Sequence, residues 1–306
     1  MSEGVGGALL NVVGATATGK SDLAVAVALA VGGEVVNTDA MQVYRGMDVG
    51  TAKLTADQWR GVPHHLLDLW EVTHEATVVE FAGLARAAIS DIQGRGRLPV
   101  LVGGSGLYVR AVVDGLDFPG TDPQVRARLE ADLVEVGAPA LHARLAAVDP
   151  QAAAAILPSN GRRVVRALEV VEITGRPFAA SLPPVPVAVP GVVQVGLEVP
   201  RDALDERIEQ RVERMWAAGL VDEVRRLEAQ GLRQGRTASR ALGYAQVLRF
   251  LAGEWDEERA RTETVRATRR FARRQLAWFR RDPRIDWLPF DAPDLVGRVV
   301  HAVGVG

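Results

Sequence analysis

A parallel β-sheet covered on both faces by helices, interrupted by an all-helical insertion, is the α/β fold this 306-residue sequence predicts. Three observations predict it. The apolar runs "ALLNVV" and "LPVLV" end in turn residues and are followed by helical periodicity, as strands buried on both faces require. Strand and helix patterns alternate through the first 120 residues. From 121 to 190 only helical spacing remains, until "VVQVGLEVP" restores a strand.

In chain order, "ALLNVVG" reads as the first strand and "SDLAVAVALAVGG" as a helix ended by glycine. "EVVNTD" is a second strand ending at Asp39, and "HHLLDLW" a third. "TVVEFAGLARAAISDIQGRG" is a helix stopping at Gly94 and Gly96, "LPVLVGG" a strand, and "SGLYVRAVVDG" a helix. "TDPQVRARLEADLVEVG" and "NGRRVVRALEVVEITGRP" are the helices of the insertion, and the Pro-rich "SLPPVPVAVPG" reads as an extended linker out of it. After residue 200 the spacing predicts only long, arginine-rich amphipathic helices, in which Phe271, Trp278 and Phe279 face the core. The expected division is a core of 1–120 and 191–306 around an inserted subdomain of 121–190.

Composition narrows the classes. There is no apolar stretch long enough to span a bilayer, and "MSEGVGG" lacks the basic-then-apolar order of a signal peptide, so a cytoplasmic protein is expected. A monomer is taken as the default state, independently of these features. The absence of cysteine excludes disulfides and thiolate metal sites, and the five histidines show no zinc spacing. The net charge of −2 hides an asymmetry: residues 1–120 carry eight basic and thirteen acidic side chains, whereas 257–284 carries ten arginines against four acids, a face suited to a polyanion. Of 36 basic residues only Lys20 and Lys53 are lysine, which marks them as positions needing a compact ammonium on a flexible stem.

The strongest motif is "GATATGKS": Gly14, Ala15, Thr16, Ala17, Thr18, Gly19, Lys20 and Ser21. It matches the phosphate-loop pattern G-x-x-x-x-G-K-[ST], with a strand before it and a helix after. The loop N–H groups and helix N-terminus face an anion, Lys20 adds charge, and Ser21 can ligate Mg²⁺, an arrangement like that of P-loop NTPases. Asp39 lies at the carboxyl end of a parallel strand, where α/β sheets bind ligands; from the residues alone it is a general base, a metal ligand or a turn cap. Ser105 in "VGGSGLY" offers a hydroxyl to a phosphate or leaving group, or caps the next helix. No Asp follows that apolar strand, so the Walker-B magnesium carboxylate is missing and nucleoside-triphosphate use is disfavoured. Arg162, Arg163 and Arg166 in "RRVVR" read as a solvated face, a kinase-lid clamp or an RNA-backbone contact.

Together these blocks resemble bacterial tRNA dimethylallyltransferases, the P-loop prenyltransferases, over essentially the whole chain. "GATATGKS", "TDAMQVYRGMDVGTAK", "VPHHLLD", "LPVLVGGSGLYVRAVVDG", "DPQVR", "NGRRVVRALEV" and "SRALGYAQ" occur in that family's order. The resemblance implies that the phosphate loop holds the diphosphate of dimethylallyl diphosphate, and that the acceptor is the N6 amine of the adenosine 3′ of the anticodon. It implies Asp39 as base, with Lys20, Ser105, the loop N–H groups and Mg²⁺ near Ser21 stabilising the departing diphosphate. It assigns tRNA contacts to Asp39, Ala40, Met41, Gln42, Ser105, Arg126, Arg162, Arg163, Val164, Val165, Arg166, Arg240, Ala241, Leu242, Gly243, Tyr244 and Ala245, with the insertion embracing the anticodon stem-loop. Two positions depart from the pattern: Ser105 replaces threonine, keeping the hydroxyl, and Ala245 stands where a basic residue is usual. The zinc finger of eukaryotic relatives is absent from this cysteine-free sequence. Among rival readings, the missing Walker-B Asp and the length beyond residue 200 tell against a small-molecule kinase. A prenyltransferase for free AMP leaves the insertion unexplained, and a non-catalytic RNA-binding protein would bind tRNA tightly without prenyl transfer and lose nothing on Asp39→Ala.

Overall fold

Runs of Val, Leu and Ile put β-branched and apolar side chains on both sides of each strand, so these strands are stable only when covered twice. The computed structural model describes residues 7–116, 118–178 and 191–304. β1 (Leu9–Val13), β2 (Glu34–Asn37), β3 (His64–His65), β4 (Pro99–Gly103), β5 (Val192–Glu198) and β6 (Ile285–Pro289) form one sheet in the order β3-β2-β4-β1-β5-β6. Every pairing is parallel. All residues of β1 and β4 are buried.

The helices are α1 (Lys20–Val31), α2 (Ala56–Trp59), α3 (Val78–Gly94), α4 (Gly106–Val113), α5 (Pro123–Val148), α6 (Pro150–Ala155), α7 (Gly161–Thr174), α8 (Arg201–Ala217), α9 (Leu220–Ala229), α10 (Tyr244–Leu251), α11 (Glu257–Phe279) and α12 (Leu295–Val303). On one face of the sheet Leu10, Val12, Val100 and Val195 pack with Leu23 and Val27 of α1 and Val299 of α12. On the other, α3 lies against β2, β4 and α4, and α11 packs on α4 and α8.

The described chain forms two compact units, one holding 7–116 and 191–304, the other 118–178. In the larger unit β1 lies between β4 and β5. The chain leaves β1 for β2 on one side and returns after β4 to β5 on the other, so the strand order reverses at β1. The carboxyl ends of β1, β2 and β4 converge there, the place where open α/β sheets hold ligands. The smaller unit is α5, α6 and α7 around Leu129, Leu141, Leu145, Val164, Val165 and Leu168. Asp122 starts α5 by accepting from the N–H groups of Gln124 and Val125, and α5 breaks at Gly137 (φ 79°), two residues before Pro139.

The structure corrects the sequence reading at four places. β6 was not anticipated: exposed Asp286 and Pro289 interrupt its apolar pattern, and an edge strand needs only one paired side. β2 ends at Asn37, whose side chain takes over the next backbone bond, so Asp39 stands two residues beyond the strand. β3 shrinks to two residues because Leu66 (φ 64°) and Asp68 (φ 53°) adopt left-handed backbone. Phe279 is buried as expected, but Phe271 and Trp278 are only half-buried. Residues 181–190 of the Pro-rich linker lie outside the described residues. No described helix is long and apolar enough to cross a membrane.

Candidate active site

The phosphate loop turns back on itself through Gly14 (φ 147°), Ala17 (φ 65°) and Gly19 (φ 94°). The left-handed turn at Ala17 costs about 1–2 kcal/mol relative to glycine, and Arg207 of α8 holds it by donating from Nε to the Ala17 carbonyl at 2.9 Å. Two side chains close the loop from inside: Thr18 Oγ1 donates to the Ala15 carbonyl at 2.9 Å and Lys20 Nζ to the same oxygen at 2.8 Å. Ala15 and Thr18 are buried, so they shape the loop. The N–H groups at the start of α1, around Lys20 and Ser21, have no intrahelical acceptors and face the loop mouth.

Asp39 sits in a turn pinned from both ends. Its N–H donates to Asn37 Oδ1 at 2.9 Å, while Asn37 Nδ2 donates to the carbonyls of Asp39 (3.2 Å) and Leu66 (3.0 Å). Asp39 Oδ1 accepts from the Met41 N–H at 2.8 Å, which makes this oxygen a turn cap. Oδ2 has no hydrogen bond among the described residues. Ser105 stands at the N-cap position of α4 but does not cap it: its Oγ accepts from the Ala40 N–H at 3.1 Å, tying the β4 turn to the Asp39 turn. Because that oxygen is accepting, its own proton is free to be donated elsewhere.

Charge concentrates where these loops meet. Burial, and after it the nearby Arg211 cation, lower the Lys20 ammonium to about 8 against the opposing pull of Asp39. Arg211 on α8 is likewise lowered by burial, again opposed by Asp39, and donates to the Thr51 carbonyl at 3.3 Å. Three cations, Lys20, Arg211 and Arg214, against two carboxylates, Asp39 and Asp22, leave a positive excess at the mouth of the phosphate loop.

The loop carrying Asp39 is held from beneath. Glu223 of α9, 2% exposed, accepts from the N–H groups of Asp48, Val49 and Gly50 (3.1, 2.8 and 3.1 Å) and from Tyr244 Oη (2.6 Å). Lys53 donates to the Tyr44 carbonyl (3.1 Å), Asp48 Oδ1 and Asp68 Oδ1 (both 2.6 Å). Three acceptors around one point suit a compact ammonium, which accounts for lysine in an arginine-rich chain.

Comparison with known proteins shows the family. A family model described as IPP transferase matches residues 42–282. A tRNA dimethylallyltransferase of Thermobifida fusca is 67% identical, over 96% of this chain and 94% of its own length. The chain belongs to the tRNA dimethylallyltransferase family. A crystal structure of the tRNA isopentenylpyrophosphate transferase of Bacillus halodurans is 41% identical with a TM-score of 0.70, covering 97% of this chain and 94% of that one. A eukaryotic dimethylallyltransferase solved acting on tRNA shares the fold at a TM-score of 0.79 and 23% identity, covering 96% of this chain and 78% of that one.

Not all residues expected to touch tRNA are presented to solvent in this family member. In the helical unit Arg162 and Arg163 are exposed, but Val164 and Val165 lie in the core. Arg126 and Arg166 both pair with Glu169, whose side chain is fully buried, and Arg166 also donates to the carbonyls of Pro119 and Gly120. Desolvation raises Glu169, but its hydrogen bonds to the two arginines prevail and hold it below its ordinary value. In the larger unit Arg240 is exposed, Leu242 and Ala245 are half-buried, and Ala241, Gly243 and Tyr244 are buried, Tyr244 serving the Glu223 knot. Ala40, Met41 and Gln42 are half-exposed beside Asp39, and Gln42 Nε2 donates to the Thr51 carbonyl at 3.2 Å.

Sequence reading missed Arg207, Arg211, Glu223 and Gln275. Arg207 and Arg211 share one face of α8 at i, i+4, a spacing legible in "DERIEQRVER", but nothing in the sequence says that α8 crosses the phosphate loop.

Proposed function

We propose that this enzyme transfers a dimethylallyl group from dimethylallyl diphosphate to the exocyclic N6 amine of the adenosine 3′ of the anticodon in tRNA, releasing diphosphate. The observation that carries the reading is the electrostatic proximity of two half-buried cations, Lys20 after β1 and Arg211 on α8, to the carboxylate of Asp39 beyond the end of β2. Cations suit a departing diphosphate, and a carboxylate with one unbonded oxygen suits the proton of an attacking amine.

In the proposed step the N6 lone pair forms a bond to the allylic carbon while the carbon–oxygen bond to the diphosphate breaks, its electron pair leaving with the diphosphate. The N6 proton passes to Asp39 Oδ2, while Oδ1 keeps the carboxylate oriented through Met41 N–H. Lys20, with two N–H groups beyond the one given to Ala15, Arg211 and the first-turn N–H groups of α1 bind the leaving diphosphate. Ser105, whose Oγ already accepts from Ala40, donates its hydroxyl proton to the same group. To reach this wall the adenosine leaves its stack.

The donor set fits Mg²⁺ carried largely by the substrate. Among the described residues no cluster of three or more His, Asp or Glu could hold a metal, and Ser21 offers a hydroxyl in a small cavity shared with Asn37 and Gln42. When bound, Mg²⁺ neutralises charge on the diphosphate. Residues 121–190 are proposed as the tRNA-binding subdomain, with exposed Arg162 and Arg163 toward the anticodon stem. The enzyme is proposed to act in the cytoplasm as a monomer.

The test is transfer itself. The purified protein is incubated with Mg²⁺, dimethylallyl diphosphate and unmodified tRNA, and the digested nucleosides are weighed by mass spectrometry. A prenylated adenosine at the position 3′ of the anticodon is the expected product. ATP turnover with no added mass would overturn the reading.

A further inference from the structure

Gln275 lies in the arginine-rich second half of α11, between exposed Arg273 and Arg274 and half-buried Leu276. It is only 6% exposed, so its amide must find partners inside the protein. It finds them on two different loops of the active site. Oε1 accepts from the Thr16 N–H of the phosphate loop at 2.9 Å, and Nε2 donates to the carbonyl of Gly104, next to Ser105, at 2.8 Å. The two partners also fix the amide orientation, since a backbone N–H can face only Oε1 and a carbonyl only Nε2.

The turn after β4 is built to receive this helix. A side chain at Gly104 would overlap Gln275 Nε2, and one at Gly106 would overlap the Trp278 indole, one turn further along α11. Gly104 and Gly106 thus let α11 approach the backbone. The bonds continue beyond Gln275: Ser105, the neighbour of Gly104, accepts from Ala40, the neighbour of Asp39. One buried amide therefore stands between the loop that holds the diphosphate and the wall that carries the hydroxyl and the base.

We propose that Gln275 is a positioning residue that sets the separation of the phosphate loop from the Ser105–Asp39 wall. It touches neither substrate. By taking the Thr16 N–H it removes that donor from the anion site and fixes the direction of the N–H groups that follow. Only a side chain of this length with a donor and an acceptor at its tip joins both loops: methionine keeps the volume and loses both bonds, and glutamate keeps the acceptor but sets an anion against the Gly104 carbonyl. The inference rests on the prenyl-transfer reading for its kinetic arm and is independent of it for its binding arm.

The test compares the parent with Gln275→Met and Gln275→Glu. Calorimetry with inorganic diphosphate and Mg²⁺ reads the phosphate loop without any transfer. The expected result is at least tenfold weaker binding in Gln275→Met and a larger loss in Gln275→Glu, with tRNA affinity within threefold of the parent and intact circular dichroism. In transfer assays kcat/KM for dimethylallyl diphosphate falls at least tenfold while KM for tRNA holds. Equal diphosphate affinity in parent and Gln275→Met overturns the proposal, as does a loss that strikes tRNA and diphosphate binding alike. A parent that binds diphosphate but transfers no prenyl group defeats the functional reading and leaves the binding arm to decide the role of Gln275.

Discussion

Diphosphate binding is predicted to become proton-coupled above about pH 8. The perturbation is pH. In the free enzyme Lys20 is held at about 8 instead of 10.5, by burial first and Arg211 second, against the pull of Asp39. A diphosphate beside the ammonium supplies the missing counter-charge and returns the pKa to its ordinary value or above. Below pH 8 free and bound enzyme both hold the proton, and affinity is flat. Above it the free enzyme has lost the proton, binding must take one up, and affinity falls by up to tenfold per pH unit. With a free value of about 8 and a bound value of 10.5, affinity drops about thirtyfold between roughly pH 7 and pH 9.5. The ligand should be an unreactive allylic diphosphate analogue, since the last ionisation of a terminal phosphate is centred near pH 6, about two units below the onset. Calorimetry in two buffers of different ionisation heat reads the proton uptake directly. Replacing Arg211 with Gln should move the onset to higher pH, and Lys20→Met should abolish it. Affinity that stays flat from pH 7 to 9.5, or a decline that survives in Lys20→Met, would refute the electrostatic account. The same linkage acts on folding. The unfolded chain keeps this proton to 10.5 and the folded one releases it near 8, so stability rises across that window by up to about 3 kcal/mol. Lys20→Met should accordingly stabilise the free protein at neutral pH.

Other side chains give equally direct tests. Glu34, 1% exposed at the amino end of β2, is lowered to about 2, chiefly by its hydrogen bond to Arg95 and then by His65, against the cost of burial. Its contribution is present above pH 4.5 and lost as pH falls toward 2, so Glu34→Gln should cost up to about 3 kcal/mol in urea unfolding at pH 7 and much less at pH 3. Glu223→Gln sets an amide among three N–H donors and the Tyr244 hydroxyl. A loss of about 2–3 kcal/mol is expected, with faster hydrogen exchange at Asp48, Val49 and Gly50; unchanged exchange there would contradict its anchoring role. Arg162→Gln should reduce the slope of log affinity for tRNA against log salt by about 1 with no change in melting temperature. Arg166→Gln should lower the melting temperature as well, because it leaves buried Glu169 with one arginine fewer.

The sheet was largely legible because strands buried on both faces, such as β1 and β4, must be written in apolar residues. β6 was not, since an edge strand with exposed Asp286 and Pro289 carries no such run. In the site, the motif marked where the phosphate loop is, and the carboxyl ends of β1, β2 and β4 bring that loop, Asp39 and Ser105 to one edge of the sheet. The residues that tune them were invisible for a different reason. Arg211, Gln275 and Glu223 act across long sequence separations (Gln275 lies 259 residues from Thr16), and on their own helices they look like ordinary members of amphipathic patterns. The block "RRVVR", proposed to meet tRNA, shows the converse limit. A contiguous motif on a helix necessarily mixes faces, so two of its positions are core and one is bound to Glu169.

The most direct test of the account is Asp39→Asn. Asparagine keeps the Oδ1 that accepts from Met41 and removes the ability to take a proton, so the turn is preserved and the base is lost. Single-turnover prenyl transfer should slow by about 10²–10⁴-fold while the affinities for tRNA and for the diphosphate stay within a few fold. Transfer at the parent rate in this variant would mean that the amine loses its proton elsewhere, and that Asp39 is only the cap of its own turn.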